Sequence, residues 1–172
     1  MAVKVVPSPN HGLRKAGADP ALPMPRPSLI ILHYTGMESG VAALQLLTNP
    51  LSEVSCHYLV WEDGRIFQLV PEAARAWHAG VSRYRGRDNC NDDSIGVELE
   101  GLEGGLFEPM QYQSLQTLAQ AVRARYPVRY VAGHEHIAPE RKADPGPGFD
   151  WTVLREAPSF AGLQFPHQID CS

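Results

Sequence analysis

The chain has 172 residues, 44% of them hydrophobic and 20% charged, which fits one globular domain with a sizeable core. A formal net charge of -4 and a pI near 5.9 give a nucleic acid or an anionic membrane no global electrostatic attraction, and neither is expected as a partner. Three cysteines without C-x-x-C spacing, Cys56, Cys90 and Cys171, exclude a disulfide framework and a thiolate metal site.

No apolar run approaches the roughly 20 residues of a membrane span. The opening residues carry Pro7, Pro9, Asn10 and Gly12 where a signal peptide needs an apolar stretch. A cytoplasmic monomer is expected, or a periplasmic or extracellular protein if a leader has been trimmed. Residues 1–27, rich in proline and glycine and closed by Pro20, Pro23, Pro25 and Pro27, read as an extended surface arm.

Order begins at Leu29-Ile30-Ile31-Leu32, a continuous apolar run suited to a strand buried on both faces, with His33 at its C-terminal end. Residues 41–47 have helical character and end before Asn49-Pro50. Residues 56–61 and 65–70 flank Glu62-Asp63-Gly64 and predict a hairpin. Residues 94–99 form another strand candidate. Over 110–126, Tyr112, Leu115, Leu118, Ala119 and Val122 mark one apolar helical face, with Pro109 at its start and Pro127 at its end. Residues 128–132 predict a strand that runs into Gly133-His134. The fold class expected is α/β or α+β: a single domain over 28–156, with a mixed central β-sheet flanked by helices and an irregular tail over 157–172.

The segment 133–148 is dense in histidine, carboxylate and lysine and is punctuated by proline and glycine. That composition suits a rigid loop over a site. A catalytic zinc ion takes neutral imidazole nitrogens and carboxylate oxygens and keeps one position for water. His33, His134 and Asp144 would supply three such ligands. His33 alone reads equally well as a core histidine. His136 competes with His134: on an extended chain the two share a face, whereas a turn after His134 separates them. Hydrolysis further needs a base for the water and a cation for the oxyanion. Glu98 and Glu100 share one face of an otherwise apolar strand, where a carboxylate is costly unless it faces a polar cavity. Glu98 is the candidate base, the alternative being a solvated edge residue. Lys142 is the candidate cation, the alternative being an ordinary surface lysine.

His33-Tyr34-Thr35, the stretch 75–82 containing Trp77-His78-Ala79-Gly80, the stretch 91–101 and the loop 133–150 resemble the N-acetylmuramoyl-L-alanine amidases of the AmpD type. These are zinc amidases related to amidase-type phage lysozymes and to peptidoglycan recognition proteins. The resemblance runs from about Val6 through Trp151, with the motifs in the family's order. It implies a peptidoglycan-recognition-protein-like fold, zinc on His33, His134 and Asp144, Glu98 assisting the water and Lys142 stabilising the oxyanion. It also implies a substrate, the amide between the lactyl group of N-acetylmuramic acid (or its 1,6-anhydro form) and L-alanine, carried by a muropeptide or peptidoglycan fragment. Trp77 would line the groove, with Tyr34 and His78 as further candidates. His57 reads as structural.

Arg83, Arg85 and Arg87 are candidates for stem-peptide carboxylates, the alternative being solvated surface arginines. One departure concerns the connection after His33. Recycling members that prefer 1,6-anhydro-muropeptides typically carry a long insertion there, and this chain has a short helical stretch, which implies a more open groove. Two other functions share these features: a non-catalytic peptidoglycan-binding module, and a zinc peptidase cutting within the stem. The complete ligand set argues against the first.

Overall fold

The computed structural model describes residues 2–15 and 26–166. Most of the proline cluster of the expected arm, and residues 167–172 of the expected tail with Cys171, lie outside the described residues. In chain order, β1 (Val3–Val5) and β2 (His11–Leu13) precede β3 (Leu29–Tyr34), α1 (Gly40–Thr48), β4 (Tyr58–Val60), β5 (Ile66–Gln68) and β6 (Ala74–Ala76). Then come β7 (Arg83–Tyr84), β8 (Arg87–Asp88), β9 (Ser94–Leu99), α2 (Pro109–Arg123), β10 (Tyr130–Gly133), the one-turn α3 (His134–Ile137) and α4 (Trp151–Glu156).

The main sheet runs β1-β5-β4-β9-β3-β10. Strands β4, β9, β3 and β10 are mutually parallel, while β5 returns antiparallel to β4 through the expected hairpin. β3 is apolar along its length because both of its faces are covered. Ile30 and Leu32 pack with Ile95, Val97 and Leu99 of β9 against Leu115, Leu118, Ala119 and Val122 of α2. Leu29 and Ile31 face the other way, onto Ala79, Cys90, Ile137 and Ala138. Side chains alternate along a strand, so His33 continues the Leu29 and Ile31 face. Ser94, Gly96 and Glu98 likewise lie on the β9 face turned away from α2. The register sets His33 directly beside Glu98.

Both longer helices start where local chemistry says they should. Ser39 caps α1, its hydroxyl accepting from the Ala42 N–H at 3.2 Å. Pro109 opens α2, and the Gln111 side chain accepts from the Glu108 N–H at 2.9 Å. The strand after α2 begins at Tyr130, two residues later than the apolar pattern suggests. Glu100 does not follow Glu98 into the site: β9 ends at Leu99, and the Glu100 carboxylate accepts from the Gly40 N–H and, at 2.9 Å, from the Glu62 N–H. It ties the start of α1 to the β4–β5 turn.

The arm is more than a surface wrap. β1 adds an edge strand to β5, and β2 pairs with β6. Arg14, which follows β2, is buried and donates to the backbone carbonyls of Glu72, Asn91, Asp92 and Ser94 at 2.9 to 3.1 Å. The C-terminal stretch also has more order than its sequence signals. Pro158–Phe160 form a 3-10 turn, Phe160 is buried in the main core, and Gln164 bridges to Tyr130.

Candidate active site

Three parallel strand ends and one loop converge on the face opposite α2. His33 ends β3, Glu98 lies near the end of β9, and His134 follows the last residue of β10. Asp144 comes in on the 138–150 loop, beside Gly133. A Cβ on Gly133 would fall 2.5 Å from the Pro145 ring, so only glycine lets the loop pass close enough to bring Asp144 to His134.

The three donor atoms nearly form an equilateral triangle. His33 Nδ1 lies 3.0 Å from His134 Nδ1 and 2.8 Å from Asp144 Oδ2, and His134 Nδ1 lies 3.1 Å from that same oxygen. All three residues are buried. The far nitrogen of His134, Nε2, lies 3.0 Å from the Ala79 carbonyl, which can only accept. In its neutral form that ring therefore carries its proton on Nε2 and turns a bare Nδ1 toward the triangle. Burial lowers the His33 pKa to about 4, opposed by the Asp144 hydrogen bond and reinforced by His134, so its imidazole is neutral at pH 7. The bare His134 Nδ1 and the Asp144 carboxylate oxygen, 3.1 Å apart, repel one another unless a cation sits beside them. The residues present thus fit a metal ion, and they form such a group among the described residues.

The turn after β10 decides between the two histidines of the loop. His134 opens α3, and the helical turn swings His136 away, so that its Nδ1 accepts from the Gly133 N–H at 3.0 Å and its ring packs on Trp151.

Glu98 borders the same pocket, and its Oε2 is buried without a hydrogen-bond partner among the described residues. Burial raises its carboxyl well above the ordinary value, the Asp144 charge adds to this, and Lys142 opposes it. Lys142 and Arg141 line the pocket from the loop side. Tyr34, Trp77 and His78 line it as well. The opposite wall is apolar, built from Met37, Ala43, Leu46, Leu47 and Val54.

The arginines lie elsewhere. Arg85-Gly86 form the two-residue loop of the β7–β8 hairpin with φ of 48° and 79°, the left-handed turn chemistry of tight hairpins. That loop carries Arg83 to Asp88, at 3.6 Å, and Arg85 over the Tyr130 ring, 4.9 Å from its centroid. Neither lines the pocket, so the expected contact with substrate carboxylates has no support in this geometry; Arg87 pairs with Asp93 at 3.5 Å. His57 is structural, as read: it is buried, its Nδ1 accepts from the Gly96 N–H at 3.0 Å, and its Nε2 lies 3.1 Å from the Ala74 carbonyl.

Sequence reasoning missed several residues around the site. Asn91 Oδ1 accepts from the N–H groups of both His78 and Ala79, at 3.0 and 2.8 Å, and fixes the loop that carries them. Arg141 donates to the Ala79 and Val81 carbonyls at 2.7 and 2.8 Å. Ser94 bonds to His78. Each lies inside a motif already singled out, but only the folded geometry gives it a partner.

Residues 23–147 match the family described as N-acetylmuramoyl-L-alanine amidase. The chain is 40% identical over 169 residues to the 1,6-anhydro-N-acetylmuramyl-L-alanine amidase AmpD of Salmonella typhimurium, covering 87% of each protein. It is 53% identical to the Citrobacter freundii AmpD over a shorter stretch of 104 residues, which spans 59% of this chain and 56% of that one. The crystal structure of a selenomethionine AmpD derivative superposes with a TM-score of 0.75 at 39% identity, over 89% of this chain and 92% of the other. The Escherichia coli amidase AmiD, in complex with anhydro-N-acetylmuramic acid-L-Ala-D-gamma-Glu-L-Lys, gives a TM-score of 0.69 at 41% identity, over 81% of this chain and 59% of that one. The family match, the curated relative and the solved structure agree: the chain belongs to the N-acetylmuramoyl-L-alanine amidase family.

Proposed function

We propose that this protein is a zinc amidase that hydrolyses the bond between N-acetylmuramic acid, or its 1,6-anhydro form, and L-alanine of the stem peptide. The observation that carries the reading is the convergence of His33 Nδ1, His134 Nδ1 and Asp144 Oδ2 at 2.8 to 3.1 Å beside an unpartnered Glu98 oxygen. Zinc bonds of about 2.0–2.1 Å in tetrahedral geometry put ligand atoms roughly 3.3–3.4 Å apart. The triangle, with sides of 2.8 to 3.1 Å, is somewhat tighter than that spacing and would open slightly around the ion, and three protein ligands leave one position for water. The relatives' names and the substrate in the AmiD complex support the choice of bond.

Bound there, zinc supplies a Lewis acid and brings the pKa of a water molecule toward about 7. Glu98 takes the water proton and returns it to the departing L-alanine nitrogen; the burial that raises its carboxyl suits a group that must both accept and give. The Lys142 ammonium faces the charge that grows on the lactyl carbonyl oxygen. Trp77 and Tyr34 offer ring faces to the sugar or stem. The reading extends to turnover of soluble wall fragments in the cytoplasm, which cell fractionation tests.

The functional test is digestion of a soluble 1,6-anhydro-muropeptide and of intact sacculi, followed by mass spectrometry. Release of free L-alanyl peptide supports the amidase. Cleavage within the stem would make the protein a peptidase, and binding without products a recognition module. The ratio of the two rates reports whether the open groove admits polymeric wall.

A further inference from the structure

The two metal-facing histidines are held from behind in different ways. His134 Nε2 meets a backbone carbonyl, that of Ala79. His33 Nε2 meets another imidazole, the Nδ1 of His78, at 3.0 Å. A histidine nitrogen can donate or accept, so this contact alone leaves the proton on His33 undetermined. The next two links decide it. His78 Nε2 lies 3.2 Å from Ser94 Oγ, and Ser94 Oγ lies 2.6 Å from the Cys90 carbonyl. A carbonyl only accepts, so Ser94 spends its single proton on Cys90 and can only accept from His78. His78 therefore carries its proton on Nε2 and offers a bare Nδ1. His33 must then donate from Nε2, which leaves its own Nδ1 bare and aimed at Asp144 and His134.

We propose that His78 is a positioning residue for the metal: with Ser94 it relays the polarity of the Cys90 carbonyl to His33 and so fixes the ring form and orientation in which His33 ligates. The proposal rests on the zinc reading above. The surroundings are built for this relay. The His78 ring lies flat against Gly96, where a Cβ would fall 2.5 Å from it, so β9 leaves a gap between Ser94 and Glu98 that the ring fills. Its own backbone N–H is held by Asn91. His78 shares the pocket lining with the candidate substrate-binding residues, but both of its ring nitrogens are engaged on the protein side.

The test compares His78→Phe and His78→Asn with the unaltered full-length chain. Zinc affinity is read by chelator competition, and the imidazole N–H protons of the zinc-loaded protein by NMR. Phe fills the space and removes the acceptor; Asn places an amide oxygen where Nδ1 was. Loss of such an outer partner weakens metal binding by about 10- to 100-fold, and that loss is expected for His78→Phe. His78→Asn should recover most of the affinity and keep a slowly exchanging His33 Nε2–H signal, which His78→Phe abolishes. Ser94→Ala, which leaves the ring in place, should weaken zinc binding by a smaller factor. Equal affinity in His78→Phe and the unaltered chain would overturn the proposal. So would equal weakening by Phe and Asn, which marks a mere packing role. A chain that binds zinc with this pattern yet releases no L-alanyl peptide would overturn the amidase reading alone.

Discussion

Two buried polar clusters, one around His57 and one around His33, lie side by side, and they have opposite character. Around His57 the groups are held by the protein: its Nδ1 accepts from Gly96, its Nε2 lies 3.1 Å from the Ala74 carbonyl and 2.9 Å from the Arg14 Nη2, and the Arg14 guanidinium is surrounded by four backbone carbonyls. Around His33 the lone pairs of His134 and Asp144 point at one another, and a Glu98 oxygen has no hydrogen-bond partner among the described residues. The ring centroids of His57 and His78 are 5.7 Å apart, so the two environments share a wall. The contrast teaches that histidine density alone does not mark a site. A satisfied cluster holds the fold together, and an unsatisfied one awaits a ligand.

This contrast can be broken from the site side first. His134→Ala should abolish both zinc retention and turnover, measured as metal content per protein beside peptide release. Glu98→Ala should keep zinc and lose about 10²- to 10⁴-fold in turnover, the usual worth of a positioned general base; an apo variant would refute that division of roles. Lys142→Ala should lower kcat by about 10²-fold with a smaller change in KM, since an oxyanion contact is felt in the transition state. A rise in KM at constant kcat would move Lys142 to substrate binding.

From the satisfied side the effects are on stability. Arg14→Ala removes a buried cation from four carbonyls and should cost about 2–4 kcal/mol in denaturant unfolding, with zinc content per folded molecule unchanged. The other effect on this side is on pH. Burial, with Arg14 adding, lowers the His57 pKa from 6.5 to about 3. Between those values the unfolded chain binds a proton that the folded chain refuses. Stability is therefore full above about 6.5 and falls as pH drops, by up to about 1.4 kcal/mol per unit for this one group. Denaturation curves from pH 7 to 4 should show a shallower slope in His57→Gln.

Much of this arrangement is legible in the linear chain because local patterns govern it. The Leu29–Leu32 run, the Glu62-Asp63-Gly64 hairpin, the α2 stripe and the Gly133-His134 strand end all appear where patterning puts them. His33, His134 and Asp144 are nameable because their motifs are compact. What escapes is long-range or depends on a turn. Arg14 finds carbonyls 58 to 80 residues away, for which no sequence signal exists. Glu100, two residues from Glu98, leaves the strand face because β9 stops at Leu99. Arg83 and Arg85 sit near the Trp77 motif in sequence, yet a tight hairpin turns Arg83 to Asp88 and Arg85 to Tyr130. The direction of a proton along Cys90, Ser94 and His78 follows from oxygen and nitrogen chemistry only once distances are known.

The apolar wall of the pocket has a consequence for how such a scaffold diversifies. Met37, Ala43, Leu46, Leu47 and Val54 all belong to the single excursion between β3 and β4, and that excursion supplies no metal ligand, no base and no cation. His33, Glu98 and His134 hang on the ends of strands whose spacing is locked by parallel pairing, and Asp144 and Lys142 come from the loop after α3. A change confined to that excursion would therefore reshape what the groove admits while the reacting groups stay in place.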